Sequence, residues 1–137
     1  MAIFKWDNEY SVNIFVIDNH HKKLFDIMNS LYALMAEGAD DDSIIKIINE
    51  LLDYTNYHFS EEEKMMEQVG YPELNQHRQL HRDFIAKLEE AKTKANNGMA
   101  IFMATKVADL GVDWLKEHIL TVDSRYKKYI DEKGISV

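Results

Sequence analysis

The chain has no cysteine. That excludes disulfides, thiolate zinc sites, iron–sulfur clusters and a cysteine nucleophile, and it fits a reducing compartment. Proline occurs once and glycine five times in 137 residues, and all six read as points where helices start or stop. Basic residues are few: 16 Lys and Arg stand against 24 Asp and Glu, a formal net charge of −8. This argues against nucleic acid or an anionic membrane surface as partner, since both require a basic patch. Solvation accounts for the acidity. No apolar run approaches the ~18 residues of a membrane span. The opening MAIFKWDNEYSVNIF lacks the positive start and apolar run of a secretory signal, so a cytoplasmic location is expected.

What is present is helical periodicity. The length suits a single domain, 1–137, able to bury roughly two-thirds of the surface its unfolded chain exposes. Residues 1–17 are rich in aromatic and apolar side chains without helical period (Phe4, Trp6, Tyr10, Val12, Ile14, Phe15); they read as an ordered N-terminal arm. A first helix is predicted from Asp18 as N-cap, over about 18–37, carrying Leu24, Phe25, Met28, Leu31, Tyr32 and Met35 and ending at Gly38. Asp40 to Ser43 cap a second helix, about 41–68, with an inward stripe of Ile44, Ile48, Leu51, Thr55, His58, Glu62 and Met65. Gly70 and Pro72 then open a third, about 72–96, with Leu74, His77, His81, Phe84, Leu88, Ala91 and Ala95 on one face. After Asn96-Asn97-Gly98 a last helix, about 99–132, carries Met103, Val107, Leu110, Trp114 and His118. Short connections make neighbours antiparallel, so the expected fold is all-α: an up-down-up-down four-helix bundle with an N-terminal arm.

Five of the six histidines, one glutamate and one aspartate fall at metal-ligand spacings on these helices: His21, His58-x3-Glu62, His77-x3-His81 and His118-x4-Asp123. Residues four apart share a helix face with Cβ atoms about 5–6 Å apart, so His77 and His81 can reach one ion. All but Asp123 lie on apolar stripes, and a buried glutamate is costly unless paired or metal-bound. Each piece alone has an ordinary reading. A single core histidine is usually hydrogen-bonded, and His58-x3-Glu62 would serve equally in an interhelical hydrogen-bond network. Together they amount to more ligands than one ion takes, and point to two metals with bridging carboxylates. Imidazole and carboxylate suit iron, zinc and manganese alike. The His-Glu-x-x-His pattern of zinc proteases is absent, and five histidines with only two candidate carboxylates do not make the ferritin-like di-iron pattern, which uses Glu-x-x-His on two helices with two further glutamates. His118 and Asp123 are five residues apart, about 140° round a regular helix, so both can face one site only if the helix carries a π-bulge, kink or unwound turn.

The segments IDNHHKKLF (17–25), HFSEEE (58–63), HRQLH (77–81) and WLKEHILTVD (114–123), with the aromatic arm and YPEL before the third helix, closely resemble the hemerythrin family, in particular its single-domain bacterial type. The resemblance implies reversible dioxygen binding, for storage, delivery or sensing, at two iron ions (Fe2+/Fe3+) with an oxo or hydroxo bridge. It implies that His77, His81 and His118 hold one iron, that His21 and His58 hold the other, which keeps a position open for oxygen, and that Glu62 and Asp123 bridge the pair. It names dioxygen as partner and no other protein. A di-iron oxidase, peroxidase or nitric oxide scavenger, or an iron-handling protein, on the same site is the competing reading; the carrier reading makes the chain not an enzyme.

On that basis Leu24, Phe59, Trp114 and Ile119 are expected to wall the oxygen pocket, with ordinary core packing as their other role. Thr121 falls where the resemblance implies a leucine against bound oxygen, and a smaller, polar side chain there predicts a wetter pocket and faster autoxidation. Tyr126, three residues after Asp123, is expected to support the ligands from behind. The family usually places glutamine before the first ligand histidine, and here it is His20. Adjacent residues point about 100° apart on a helix, so with His21 facing inward His20 is expected at the surface, or as the ligand if the helix is shifted.

Overall fold

The computed structural model describes residues 4–137, so the first three residues of the expected arm lie outside the described residues. All regular structure among those described is helical. A short 3-10 turn, Asn8–Tyr10, precedes α1 (Phe15–Glu37), α2 (Asp41–Gln68), α3 (Leu74–Lys94), α4 (Ala100–Leu110) and α5 (Ser124–Lys133). α1 packs on α2, α2 on α3, and α4 on all three. The turn before α4 carries Asn97 at φ −98 and Gly98 at φ 91, the latter a left-handed conformation that glycine adopts without a Cβ penalty.

The helices form where buried positions recur every three or four residues. On α2 these are Ile44, Ile47, Ile48, Leu51, Leu52, Thr55, His58, Phe59, Glu62, Met65 and Met66; burying each large apolar side chain contributes about 1.5–3 kcal/mol. Asp40 caps α2, accepting from the Ser43 amide at 2.9 Å. On α4 the buried face is mostly small: Ala100, Ala104, Val107 and Ala108 beside Met103. The arm is tied to α1 by Phe4, whose amide donates to Asn29 Oδ1 and whose carbonyl accepts from Asn29 Nδ2, both at 2.8 Å. Its aromatic side chains close over Phe25, with Tyr10 edge-on at 5.0 Å and Phe4 at 5.3 Å.

Three sequence expectations need correction. α1 begins at Phe15, not near Asp18, and Ile14 at the cap position has no side-chain cap. Asp18 lies inside the first turn, where its carboxylate accepts from Ser11 Oγ at 2.6 Å and the Val12 amide at 2.9 Å. It staples the arm to the helix across Asn13, which takes a left-handed φ of 60. α3 starts at Leu74, because Tyr71, Pro72 and Glu73 form a turn before it. Finally, Gly111 is not a boundary, and the last segment departs from a regular helix there as well as at the distortion expected near 118–123. Two π-helical stretches, Gly111–Leu115 and His118–Asp123, interrupt the run between α4 and α5. Gly111 sits against side chains of α1 and the arm: a Cβ there would collide with the end of Met28 and lie 3.2 Å from Phe4 Cζ.

The apolar side chains form two clusters. The larger includes Leu24, Phe25, Leu51, Phe84, Leu88, Val107 and Ile119; the smaller joins Val12, Ile17, Met65, Met66, Tyr71, Tyr126 and Ile130. Along each helical run the chain passes from one cluster to the other through a buried polar position. Examples are Ile17–His21–Leu24 on α1 and Phe59–Glu62–Met65 on α2. A polar layer is thereby enclosed between two dry ones.

Candidate metal centre

That layer contains His21, His58, Glu62, His77, His81, His118 and Asp123, all buried. His21 comes from α1, His58 and Glu62 from α2, His77 and His81 from α3, and His118 and Asp123 from the two ends of the second π stretch. The wide π turn is what lets residues five apart aim inward together. Without it Asp123 would point away.

The donor atoms fall into two groups. In the first, His118 Nε2 lies 3.1 Å from His77 Nε2 and 3.2 Å from His81 Nε2. Glu62 Oε1 is 3.0 Å from His81 Nε2 and 3.3 Å from His77 Nε2. Asp123 Oδ1 is 3.0 Å from His77 Nε2 and 3.1 Å from His118 Nε2. Adjacent corners of an octahedron with bonds of about 2.1 Å are about 3.0 Å apart, so this spacing is that of donors sharing one ion. In the second group, His21 Nε2 is 3.2 Å from Asp123 Oδ2 and 3.7 Å from Glu62 Oε2, and His58 Nε2 is 3.5 Å from Glu62 Oε2. Each carboxylate thus turns one oxygen to each group.

Hydrogen bonding does not account for this convergence. Both His21 nitrogens, Glu62 Oε1 and both Asp123 oxygens are buried without a hydrogen-bond partner, although cations and anions stand within ion-pair range. Buried polar atoms without partners are rare and costly in proteins, and a pair of cations would satisfy His21 Nε2, Glu62 Oε1 and both Asp123 oxygens.

Electrostatics binds the layer together. Burial alone would raise the carboxyl of Glu62, but His58 and the contacts from His21, His77 and His81 hold it well below the usual carboxylate range. Burial and Glu62 would raise Asp123, and His118 and His21 hold it low. Burial would lower His21 and His77, yet Asp123 and Glu62 hold both up at about 9. His58 goes the other way, pushed down to about 3 chiefly by burial.

Around the layer stand groups that hold the ligands. Tyr126 donates to Glu62 Oε2 at 2.9 Å, fully buried. Phe59 stacks flat on His81 at 3.7 Å, with His58 at 5.7 Å. Trp114 stacks on His118 at 4.2 Å and on Phe84 at 4.0 Å, so it covers the three-histidine side. Leu24 and Ile119 are buried.

Thr121 contradicts the sequence expectation. It is exposed, and its hydroxyl donates to the Glu117 carbonyl at 2.7 Å, so it cannot wet the pocket. The π turn puts Leu120 and Thr121 on the outer face, and the buried apolar residue of the segment is Ile119. His20 is likewise not a surface residue. It is buried, with Nδ1 3.0 Å from His58 Nδ1. Because α1 packs along α2, an arc wider than 100° is covered, and both adjacent histidines fall inside it. Glu63 was also missed: its Oε2 lies 2.8 Å from His81 Nδ1, and Arg78 Nε donates to its other oxygen at 3.3 Å. The acidic run 61–63 hides it, since nothing local separates Glu63 from its solvated neighbours.

Comparison with known proteins agrees with this geometry. The Hemerythrin HHE cation binding domain matches residues 12–130. The chain is similar to the bacteriohemerythrin of Clostridium acetobutylicum, 39% identical over 90% of this chain and 98% of that protein. It is similar also to myohemerythrin-1 of Phascolopsis gouldii, 32% identical over 90% and 92%. A crystal structure of a hemerythrin leucine-to-tyrosine variant superposes with a TM-score of 0.82 at 30% identity, covering 93% of this chain and 97% of that one.

Proposed function

The chain belongs to the hemerythrin family, and from that membership we propose that it binds dioxygen reversibly at a pair of non-haem iron ions, for storage, delivery or sensing. One observation carries the reading: Glu62 and Asp123 each present one oxygen to His77, His81 or His118 and the other to His21 or His58. A two-ion site would use both oxygens of both carboxylates. We assign His77, His81 and His118 as the residues that would hold one iron and His21 and His58 as those that would hold the other, with Glu62 and Asp123 shared between them. Three histidines against two leave the second iron with the open position. A bound iron pair would supply reversible two-electron chemistry toward dioxygen.

The chain's own residues do the rest. We read the buried Leu24, Phe59 and Ile119 as apolar lining of the open side, which would exclude water and protons and favour a binder over an enzyme. Trp114 shields the three-histidine side, and Tyr126 fixes Glu62. We read α1, α2, α3 and the run from α4 to α5 as an antiparallel up-down-up-down four-helix bundle, forming one domain with the arm. No helix among the described residues is long and apolar enough to cross a membrane. We place the protein in the cytoplasm, consistent with the absence of cysteine.

Anaerobic reduction, oxygen addition and removal, with visible spectroscopy and metal analysis, tests the function. About two irons per chain and a coloured adduct that clears on deoxygenation are expected. Prompt irreversible oxidation with peroxide released would overturn the carrier reading in favour of an enzyme.

A further inference from the structure

The open-side ligand His58 is held from behind by a second histidine. His20 and His58 approach through their Nδ1 atoms at 3.0 Å, with rings edge-on at 5.1 Å and 87°. Tyr54 and Tyr57 pack round His20, with centroids at 6.0 and 5.3 Å, so its ring is confined among aromatic side chains. The outer nitrogens of His21 and His77 have no hydrogen-bond partner among the described residues. Among the described residues, His58 and His81 are the ligands whose Nδ1 has one: His20 for the first and Glu63 for the second.

The chemistry fixes the direction of the first bond. His58 turns Nε2 toward Glu62. If that nitrogen binds metal through its lone pair, the one ring proton of neutral His58 sits on Nδ1. It must then be donated, and the atom opposite is His20 Nδ1, which accepts only if the proton of His20 is on Nε2. A partner that accepts from the outer nitrogen of a ligating imidazole fixes its tautomer and ring orientation. We propose that His20 is the positioning residue of the open-side iron: a neutral imidazole acceptor that locks His58 in its metal-binding tautomer, where the three-histidine side uses the carboxylate of Glu63. This rests on the assignment of His58 as a ligand.

The test compares iron-loaded parent protein with His20→Phe, which keeps a ring but has no acceptor, His20→Gln, which restores an acceptor oxygen, and His58→Ala as control. Each is challenged anaerobically with a ferrous chelator, and iron retained is followed over time. Loss of such a partner typically weakens metal binding about 10–100-fold. The expected result is a weakening of that order in His20→Phe and recovery in His20→Gln, with helical circular dichroism unchanged in both. If phenylalanine is not accommodated, the smaller His20→Leu takes its place. Iron held as in the parent by His20→Phe, while His58→Ala loses it, would overturn the proposal alone. Iron held equally by His58→Ala would overturn the ligand assignment and the proposal with it.

Discussion

Glu62 shows how much one side chain does here. It is fully buried, faces four histidines, and still takes a hydrogen bond from Tyr126 at 2.9 Å. That bond fixes which way the carboxylate plane turns, and so which oxygen meets which histidines. A hydrogen bond to a charged group contributes about 1.5–3 kcal/mol. Tyr126→Phe should therefore lower unfolding free energy by that amount in urea titrations and loosen Glu62. A loss below about 0.5 kcal/mol would mean the hydroxyl does not hold the carboxylate. Glu62 was legible in the sequence because a glutamate on an apolar stripe is out of place. Glu63 was not, because its partner His81 arrives from another helix.

At the scale of elements, the decisive features are a staple and a distortion. Asp18 joins the arm to α1 through Ser11 and Val12, doing for the helix start what an N-cap does one turn earlier. Its removal should cost about what a lost cap costs, about 1 kcal/mol. Thermal unfolding of Asp18→Ala checks this, with Asp18→Asn expected to recover most of the loss; equal melting of the alanine variant and the parent would contradict it. The π stretch His118–Asp123 was readable from spacing alone, since five residues overshoot one turn. Which residues it would turn outward was not. Thr121 lies three residues after His118, yet the widened turn carries it to the surface, so its role in autoxidation falls away.

For the molecule as a whole, the polar layer between two apolar clusters makes metal part of the fold. Without metal the buried donors rely on charge pairing: His21 and His77, held up at about 9, stay protonated against Glu62 and Asp123. Their folded values lie above the ordinary histidine value of about 6.5, so the stabilisation from these protons is complete below that pH. It is lost as pH rises through about 9. Metal-bound imidazoles are neutral and escape this dependence. Stripping iron with a chelator should lower the melting temperature, since a ligand at 1,000 times its Kd stabilises by about 4 kcal/mol. The gap between loaded and stripped protein should widen from pH 7 to pH 9. A gap that narrows would show that the stripped site is not held by those two protons. Metal uptake near neutral pH should also release protons, because the ligands must be neutral to bind.

The sequence by itself determined that the chain is helical, which stripes turn inward, and that His21, His58, Glu62, His77, His81, His118 and Asp123 belong together. Those facts are periodic or local: a polar residue in an apolar stripe declares itself without knowledge of its neighbours. Only the tertiary structure decided the pairings across helices. The turning of each carboxylate between two histidine groups, the contact of His20 with His58, the contact of Glu63 with His81, and the close packing at Gly111 all depend on the rotation and separation of packed helices. No spacing within one segment encodes them.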